Sequence, residues 1–528
     1  MSRPTFRLGV MAVCAVFIGA AAVRAEEPYQ PPEEILRRPS LGASASDGVP
    51  QPLGLSEAIQ LAARQNLGIE LQRQQEAVAR ASIGWARGRF EPSLNAFYGH
   101  ANADTPPPVT LLQQGIVKPP LSVDSDLWSV GLSAQLPTAT QLSIGWSNVR
   151  TANTASGVAL ADPLFNSGLS FNLTQPLLRG FAFDLAIPRA DLLRARFASR
   201  RAALDVRAAL IATIKATEDA YWDLRRVLKE DEVRRTSLEL ARRQRLLSEK
   251  LIESGSLPRS DLAAAESTVA ERELAVIEAD AAIARGGDQL RRVLNLPRAE
   301  WTHPLLPVDM PRYEEPGVDL DEAMALALKN RPELAQRRID LERTTLDLRT
   351  ARADRLPSLD VGLSYGLIGQ QSGYRGTLEQ MASNNVKSWT ASASFSWSPL
   401  MLAARALVDS RLAGQRAAQV QLEQQQLDLL VELRDDRTEF ETAARQIRAA
   451  ARFRELATRT LDVEERRFQE GISNNFLIGQ RQAELAQAQL AELGAVIRHR
   501  KARTALEAAM GTLIEARGVT LDIGSTVP

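Results

Sequence analysis

Cysteine is almost absent from this chain. The one cysteine among its 528 residues is Cys14, inside an apolar N-terminal stretch, so no disulfide framework can hold the fold together. An excess of charge of one sign is missing too: 64 basic residues face 64 acidic ones, which leaves no basic footprint for nucleic acid. Histidine is rare, and His100, His303 and His499 are scattered without metal-ligand spacing. There is no glycine-rich phosphate loop and no nucleophile elbow. The sequence therefore offers no metal, cofactor or catalytic site, and an enzyme is not expected. After residue 25 no stretch approaches the roughly 18 apolar residues of a spanning helix. If the protein enters a membrane, it must do so as a β-barrel.

The first 25 residues read as a secretory signal peptide. Arg3 and Arg7 form its positive end, Leu8 to Val23 is apolar, and Val23-Arg24-Ala25 suits cleavage before Glu26. The apolar run is shorter than the roughly 20 residues of a membrane anchor. Met11-Ala12-Val13-Cys14 sits too early for a lipoprotein signal and lacks its leucine. Loss of Arg3, Arg7 and Arg24 from the 64 basic residues would leave 61 against 64 acidic ones.

What is present is a duplication. Leu55-Ser56-Glu57-Ala58 returns as Leu320-Asp321-Glu322-Ala323, and Pro92-Ser93-Leu94 as Pro357-Ser358-Leu359, both 265 residues later. Gln175-Pro176-Leu177 then matches Ser398-Pro399-Leu400 at an offset of 223, and Glu253-Ser254-Gly255 matches Gln469-Glu470-Gly471 at 216. The falling offset locates 42 extra residues in the strand region of the first copy. The expected division is residues 26–52 as an N-terminal tail, 53–300 and 301–516 as two repeats, and 517–528 as a C-terminal tail.

Each copy carries strands with one apolar face. Trp128, Val130, Leu132, Ala134 and Leu136 alternate with Ser129, Gly131, Ser133 and Gln135; Trp389, Ala391, Ala393, Phe395 and Trp397 alternate with Thr390, Ser392, Ser394 and Ser396. A soluble sandwich also alternates. Segments of about ten residues, a Ser/Thr/Gly polar face, and Trp128, Trp146, Trp389 and Trp397 near strand ends favour a barrel wall with an aromatic girdle. Strands are expected at roughly 93–102, 167–175, 358–367 and 388–397, with an additional hairpin around Pro137-Thr138-Ala139-Thr140. Four or six strands are too few to close a barrel, and open edges cannot face lipid, so several chains must share one.

The remaining segments read as helices. One is expected from about Asp184 to Ser254, with Pro188 in its first turn, and another from about Ala403 to Glu470. Each has a shorter return helix, about Arg259–Leu294 and Phe476–Met510. Helices of similar length, about Ser56–Arg87 and Asp321–Arg352, precede the strands. Apolar residues at coiled-coil spacing, such as Leu240, Leu247 and Leu251, suit long packed helices. The proline-rich stretch at 106–120 and the Gly/Gln/Ser-rich stretch at 369–385 read as outer loops.

These marks, with Asn66, Asn330-Arg331-Pro332, Thr174-Gln175-Pro176-Leu177-Leu178-Arg179-Gly180 and Ala220-Tyr221-Trp222-Asp223-Leu224, resemble the TolC-like outer-membrane factor family from about Leu55 to Leu513. The resemblance implies an α+β membrane protein. It would be a homotrimer with a composite β-barrel in the outer membrane, continued by an α-helical coiled-coil barrel across the periplasm. It implies a passive exit duct without cofactors, working with a periplasmic adaptor (membrane fusion protein) and an inner-membrane transporter in tripartite efflux or type I protein secretion. The family has four strands per chain; the extra hairpin either enlarges a twelve-stranded barrel to eighteen or folds outside it.

The same resemblance assigns the tip and adaptor-docking surface to Gly255, Ser256, Leu257 and Pro258, and to Gly471, Ile472, Ser473 and Asn474. Asp261 matches a gate acid. Its usual basic partner is Ser473 here, which leaves Arg466 or Arg467 as substitutes. Leu477 and Gln480 stand where some members carry acidic rings, so no cation-attracting constriction is implied. Leu477 is either an apolar gate ring or interhelical core. A non-conducting coiled-coil strut is the rival reading from helices alone, but it does not explain the strands.

Overall fold

The computed structural model describes residues 51–519, except most of 107–120 and 312–318, and except 156–157, 160–162, 254–259 and 471. The expected signal peptide and nearly all of both tails lie outside the described residues. β1 (Gln51–Leu53) leads into α1 (Leu55–Gln65) and α2 (Leu67–Gly88). The sequence suggests one helix here, and Asn66 breaks it. Its backbone is extended, and its side-chain oxygen accepts from the N–H groups of Gly68 (2.8 Å) and Ile69 (3.3 Å), donors that a new helix leaves open. Its amide donates to Val293 O at 2.8 Å, which pins the break to a neighbouring helix.

Four strands follow: β2 (Ser93–Thr105), β3 (Leu121–Gln135), β4 (Gln141–Ala155) and β5 (Leu164–Pro176). They run longer than the alternation suggests. α3 (Ala190–Glu253) and α4 (Ser260–Leu294) form the first long hairpin. α3 starts six residues later than expected, so Pro188 lies in the preceding turns, where Ala182 and Phe183 have positive φ. β6 (Leu305–Pro307) then pairs in parallel with β1.

The second half has the same order: α5 (Leu320–Asn330), α6 (Pro332–Asp354), β7 (Ser358–Gln371), α7 (Tyr374–Ala382), β8 (Lys387–Ser396), α8 (Leu402–Gln469), α9 (Asn475–Ala509) and a final turn, α10 (Leu513–Ala516). Here Arg331 occupies the break, and Pro332 opens α6, where its missing N–H costs nothing. At 64 and 68 residues, α3 and α8 are about 96 and 102 Å long.

The six long strands form one antiparallel sheet in the order β2-β3-β4-β5-β7-β8. The extra hairpin is thus part of the wall. β3 and β4 lie between β2 and β5, in register over their whole lengths. One face carries apolar rows across the sheet, such as Leu94–Leu132–Ile144–Phe171–Tyr365–Trp389. The other carries Ser133, Ser143, Asn172 and Ser364.

Residues 369–385, expected as a loop, contain the end of β7 and all of α7, which lies on the apolar face. Thr377 is fully buried, and Tyr374 packs against Trp128 and Phe165. A Cβ at Gly369 would collide with the carbonyl of Thr377, so only glycine allows this approach.

The helical core is built in three clusters. Trp222, Tyr221, Leu224, Leu290 and Leu294 join α3 to α4 around Leu53 and Leu305. The Tyr221 hydroxyl lies 3.0 Å from Leu53 O and 2.7 Å from an Asp309 carboxylate oxygen, and accepts the Asp309 N–H at 3.0 Å. Ile59, Ile69, Leu210 and Ile214 pack with Leu513 and Ile514. Leu334, Leu429, Leu433 and Phe440 pack with Leu506. Gly511, at φ +72°, turns the chain where a Cβ would sit 3.0 Å from Asn330.

His499 is 1% exposed and stacks on Phe440, ring centroids 4.7 Å apart. Burial, aided by the Arg500 charge, holds its pKa below the usual imidazole value. The unfolded chain therefore binds a proton more readily near pH 6.5, so this site penalises the fold as pH falls below that value. Thermal unfolding at pH 7.5 and 5.5 is expected to show a larger acid loss for the wild type than for His499→Phe. An equal loss would remove His499 from the account.

Candidate functional site: the helical tip and the strand wall

At the far end of the long helices, the second hairpin is described from both sides of Gly471. The Ile472 N–H donates to Arg467 O at 2.9 Å, the six-to-one bond that closes a helix end. Asn474 caps α9 by accepting the Leu477 N–H at 3.0 Å. Ser473 donates to Glu464, which is buried and also lies 4.0 Å from Arg467. Arg467 thus meets an acid on its own helix, and Arg466 is exposed. Gly255, Ser256, Leu257, Pro258 and Gly471 lie outside the described residues.

Leu477 and Asp261 are half-buried and Gln480 is exposed. The fully buried residue of this turn is Ile478, whereas Ile472 and Phe476 expose 69% and 71% of their surface.

A contact that sequence reasoning missed ties the two hairpins together. Asn475, 6% exposed, donates to Ser248 Oγ at 2.8 Å and accepts from Gln244 Nε2 at 2.6 Å. Ser248 in turn donates to Gln244 O at 2.9 Å. The start of α9 is thereby held to α3 by a short polar network. Partners 227 and 231 residues apart leave no local signal in the sequence.

Along the wall, Trp128 is the eighth of the fifteen residues of β3 and Trp146 the sixth of fifteen in β4; both are mid-strand rather than near strand ends. They meet edge to face at 4.7 Å. Trp389 is near the start of β8, and Trp397 directly follows its end. The strands outrun the apolar band. Beyond Trp128 and Tyr98 the same face carries His100, Asp124, Asp126 and Arg150. Cross-strand pairing puts His100 Nδ1 2.9 Å from Asp126 and 3.7 Å from Asp124, so this histidine is less isolated than its sequence spacing suggests. Arg150 approaches Asp126 at 3.1 Å and supplies a positive charge to the cluster.

Among the described residues no helix is long and apolar enough to cross a membrane. Residues 323–512 match the family model described as outer membrane efflux protein. The fold is that of solved outer-membrane channels. The OprN channel is 20% identical, with a TM-score of 0.66 over 87% of this chain and 90% of that one. CmeC of Campylobacter jejuni is 14% identical, at 0.65 over 89% and 90%. The open state of MtrE of Neisseria gonorrhoeae is 16% identical, at 0.60 over 87% and 89%. The matched segment lies in the second half of the chain, and the fold shared with these channels runs through nearly all of it. No curated protein matches the chain.

Proposed function

We propose that this chain is a TolC-like outer-membrane factor and the exit duct of a tripartite efflux system, a homotrimer whose chains share one barrel and one helical tunnel. One juxtaposition carries the reading. Among the described residues β2 and β8 each have an unpaired edge, and the helices adjoining those edges bear apolar stripes that no described residue covers. On α2, Leu67, Leu71, Val78 and Trp85 are exposed, Trp85 by 85%; on α8, Val420, Leu427 and Val431 are exposed. Joining the β2 side of one chain to the β8 side of the next pairs both edges and covers both stripes in a single head-to-tail interface, which closes as a ring.

Three six-stranded sheets supply eighteen strands. At usual spacing and tilt this gives a wall about 36 Å across, against about 24 Å for twelve strands. The apolar rows from Leu136 to Trp128 span about 27 Å along β3, or about 20 Å along the barrel axis, close to the roughly 25 Å band of outer-membrane barrels. Trp128 and Trp146 then lie toward the outer side of that band. Residues 53–300 and 301–516 are its two repeats.

The duct carries out no chemistry. A partner transporter supplies the energy, and a periplasmic adaptor docks at the tips around Ile472, Ser473 and Asn474. Opening requires the hairpins to part, and the Asn475–Ser248–Gln244 network opposes this. Asn475→Ala removes two buried hydrogen bonds of roughly 1 kcal/mol each, enough to raise the open population about tenfold or more. Planar-bilayer recordings should show higher mean conductance for the variant than for the wild type. Equal conductance would remove the network from gating, and no conductance from either protein would leave a strut.

A further inference from the structure

Where the sheet meets the helices, a cavity of about 490 Å³ opens between the ends of α2 and α3 and beneath the β3–β4 turn at Pro137. Its floor is apolar, formed by Phe90, Leu185, Leu192 and Leu193, and three arginines line it, Arg87, Arg189 and Arg196. No acidic side chain is among its walls. The nearby acids are engaged elsewhere: Asp191 with Arg89 (2.8 Å) and Arg194 (2.9 Å), Asp347 with Arg194 (2.8 Å), and Asp184 with Arg349. The three lining arginines make no ion pair with any described residue, and Arg189 Nε is buried without a hydrogen-bond partner. Arg87 and Arg196 are exposed and Arg189 is half-buried, so three guanidinium groups without an acidic neighbour give an accessible pocket a positive rim that an anion complements.

Position identifies the anion. Pro137 directly follows Leu136, which continues the apolar row just past the end of β3, so the cavity lies at the lower margin of the apolar band. It also belongs to the membrane side of the wall. Arg89 bonds Gln135 on the polar face of the sheet (3.2 Å), and Arg87, two residues earlier on the same helical end, is about 200° around from it. A group there meets the periplasmic leaflet, where phospholipid headgroups end and acyl chains begin.

We infer that this cavity binds an anionic phospholipid of the periplasmic leaflet, one per chain. The arginines hold the phosphate and the floor takes the upper part of an acyl chain. Bidentate guanidinium–phosphate contacts favour it over a zwitterionic lipid, whose own ammonium offsets the attraction. The inference rests on the outer-membrane setting but not on export.

The test is native mass spectrometry of the full chain, delipidated in detergent and then given equimolar phosphatidylglycerol and phosphatidylcholine. The wild type should retain one phosphatidylglycerol per chain and little phosphatidylcholine. Arg87→Gln/Arg189→Gln/Arg196→Gln should retain about tenfold less. Leu185→Trp, at an exposed position, fills the cavity without removing a charge and should also reduce retention, which keeps the test intact if the triple variant fails to fold. Equal retention of the two lipids, or unchanged retention in Leu185→Trp, overturns the inference. Full displacement of phosphatidylglycerol by millimolar inorganic phosphate would show a free-anion site and overturn the lipid assignment. The same spectra report the oligomer mass independently, so a failure of this site is distinguishable from a failure of the trimer.

Discussion

Glu218→Ala is expected to cost about 3–5 kcal/mol of stability, the range for removing one partner of a buried ion pair. Glu218 is fully buried between α3 and α9. It accepts from Thr504 Oγ1 at 2.6 Å and from both Nε and Nη2 of Arg517, the latter at 3.1 Å. Burial opposes the charge on Arg517, but hydrogen bonds and charges from Glu218 and Glu507 outweigh it and raise the arginine's pKa. Removing Glu218 leaves a buried guanidinium whose remaining partner is Glu507, 2.8 Å away and already 2.9 Å from Arg503. The loss should fall toward the lower end of the range for that reason. Glu218→Gln keeps two acceptor sites and should cost about 1–2 kcal/mol. Glu218→Leu with Arg517→Leu should recover most of the stability. Denaturant unfolding of the series checks this, and a loss below about 1 kcal/mol for alanine would mean that the pair is hydrated.

The second large effect separates the faces of the wall. Phe171 and Asn172 are neighbours on β5 and point to opposite sides of the sheet. Phe171 is in an apolar row between Ile144 and Tyr365, whereas Asn172 faces Ser143 and Ser364. In the proposed barrel Phe171→Arg puts a charge near the middle of the lipid-facing band and should cost about 2–4 kcal/mol, seen as loss of heat-resistant protein from outer membranes. Asn172→Arg should insert normally and shift ion selectivity toward anions, because each copy adds a positive charge to the lumen. Equal tolerance of both changes would contradict the assignment of faces.

Much of the fold was legible because its signals are local and repeated. Alternation gave the strands, and the Pro92 and Pro357 marks gave their starts. Uninterrupted Ala/Leu/Arg/Glu runs gave two helices of nearly the observed length. Less was legible where a long-range contact decides. The nine residues of α7 are too few to be stable as an isolated helix and depend on packing over Gly369 and Phe165, so their Gly/Gln/Ser composition read as loop. Asn66 stands out in the sequence as one of the marks, yet its role as a break shows only in its bonds to Gly68 and Val293. Alternation identified the extra hairpin, but a strand's pattern says which face is apolar and not which strand it pairs with. At the tip, the bond from Asn475 to Ser248 crosses between hairpins and has no counterpart in sequence spacing.

The most direct test of the central claim is a strand count through the barrel, by electron microscopy of the protein extracted from outer membranes into lipid nanodiscs. The account predicts a threefold ring of eighteen strands, with β2 of each chain paired to β8 of the next. A monomer, or a twelve-stranded ring with β3 and β4 folded outside it, would contradict it.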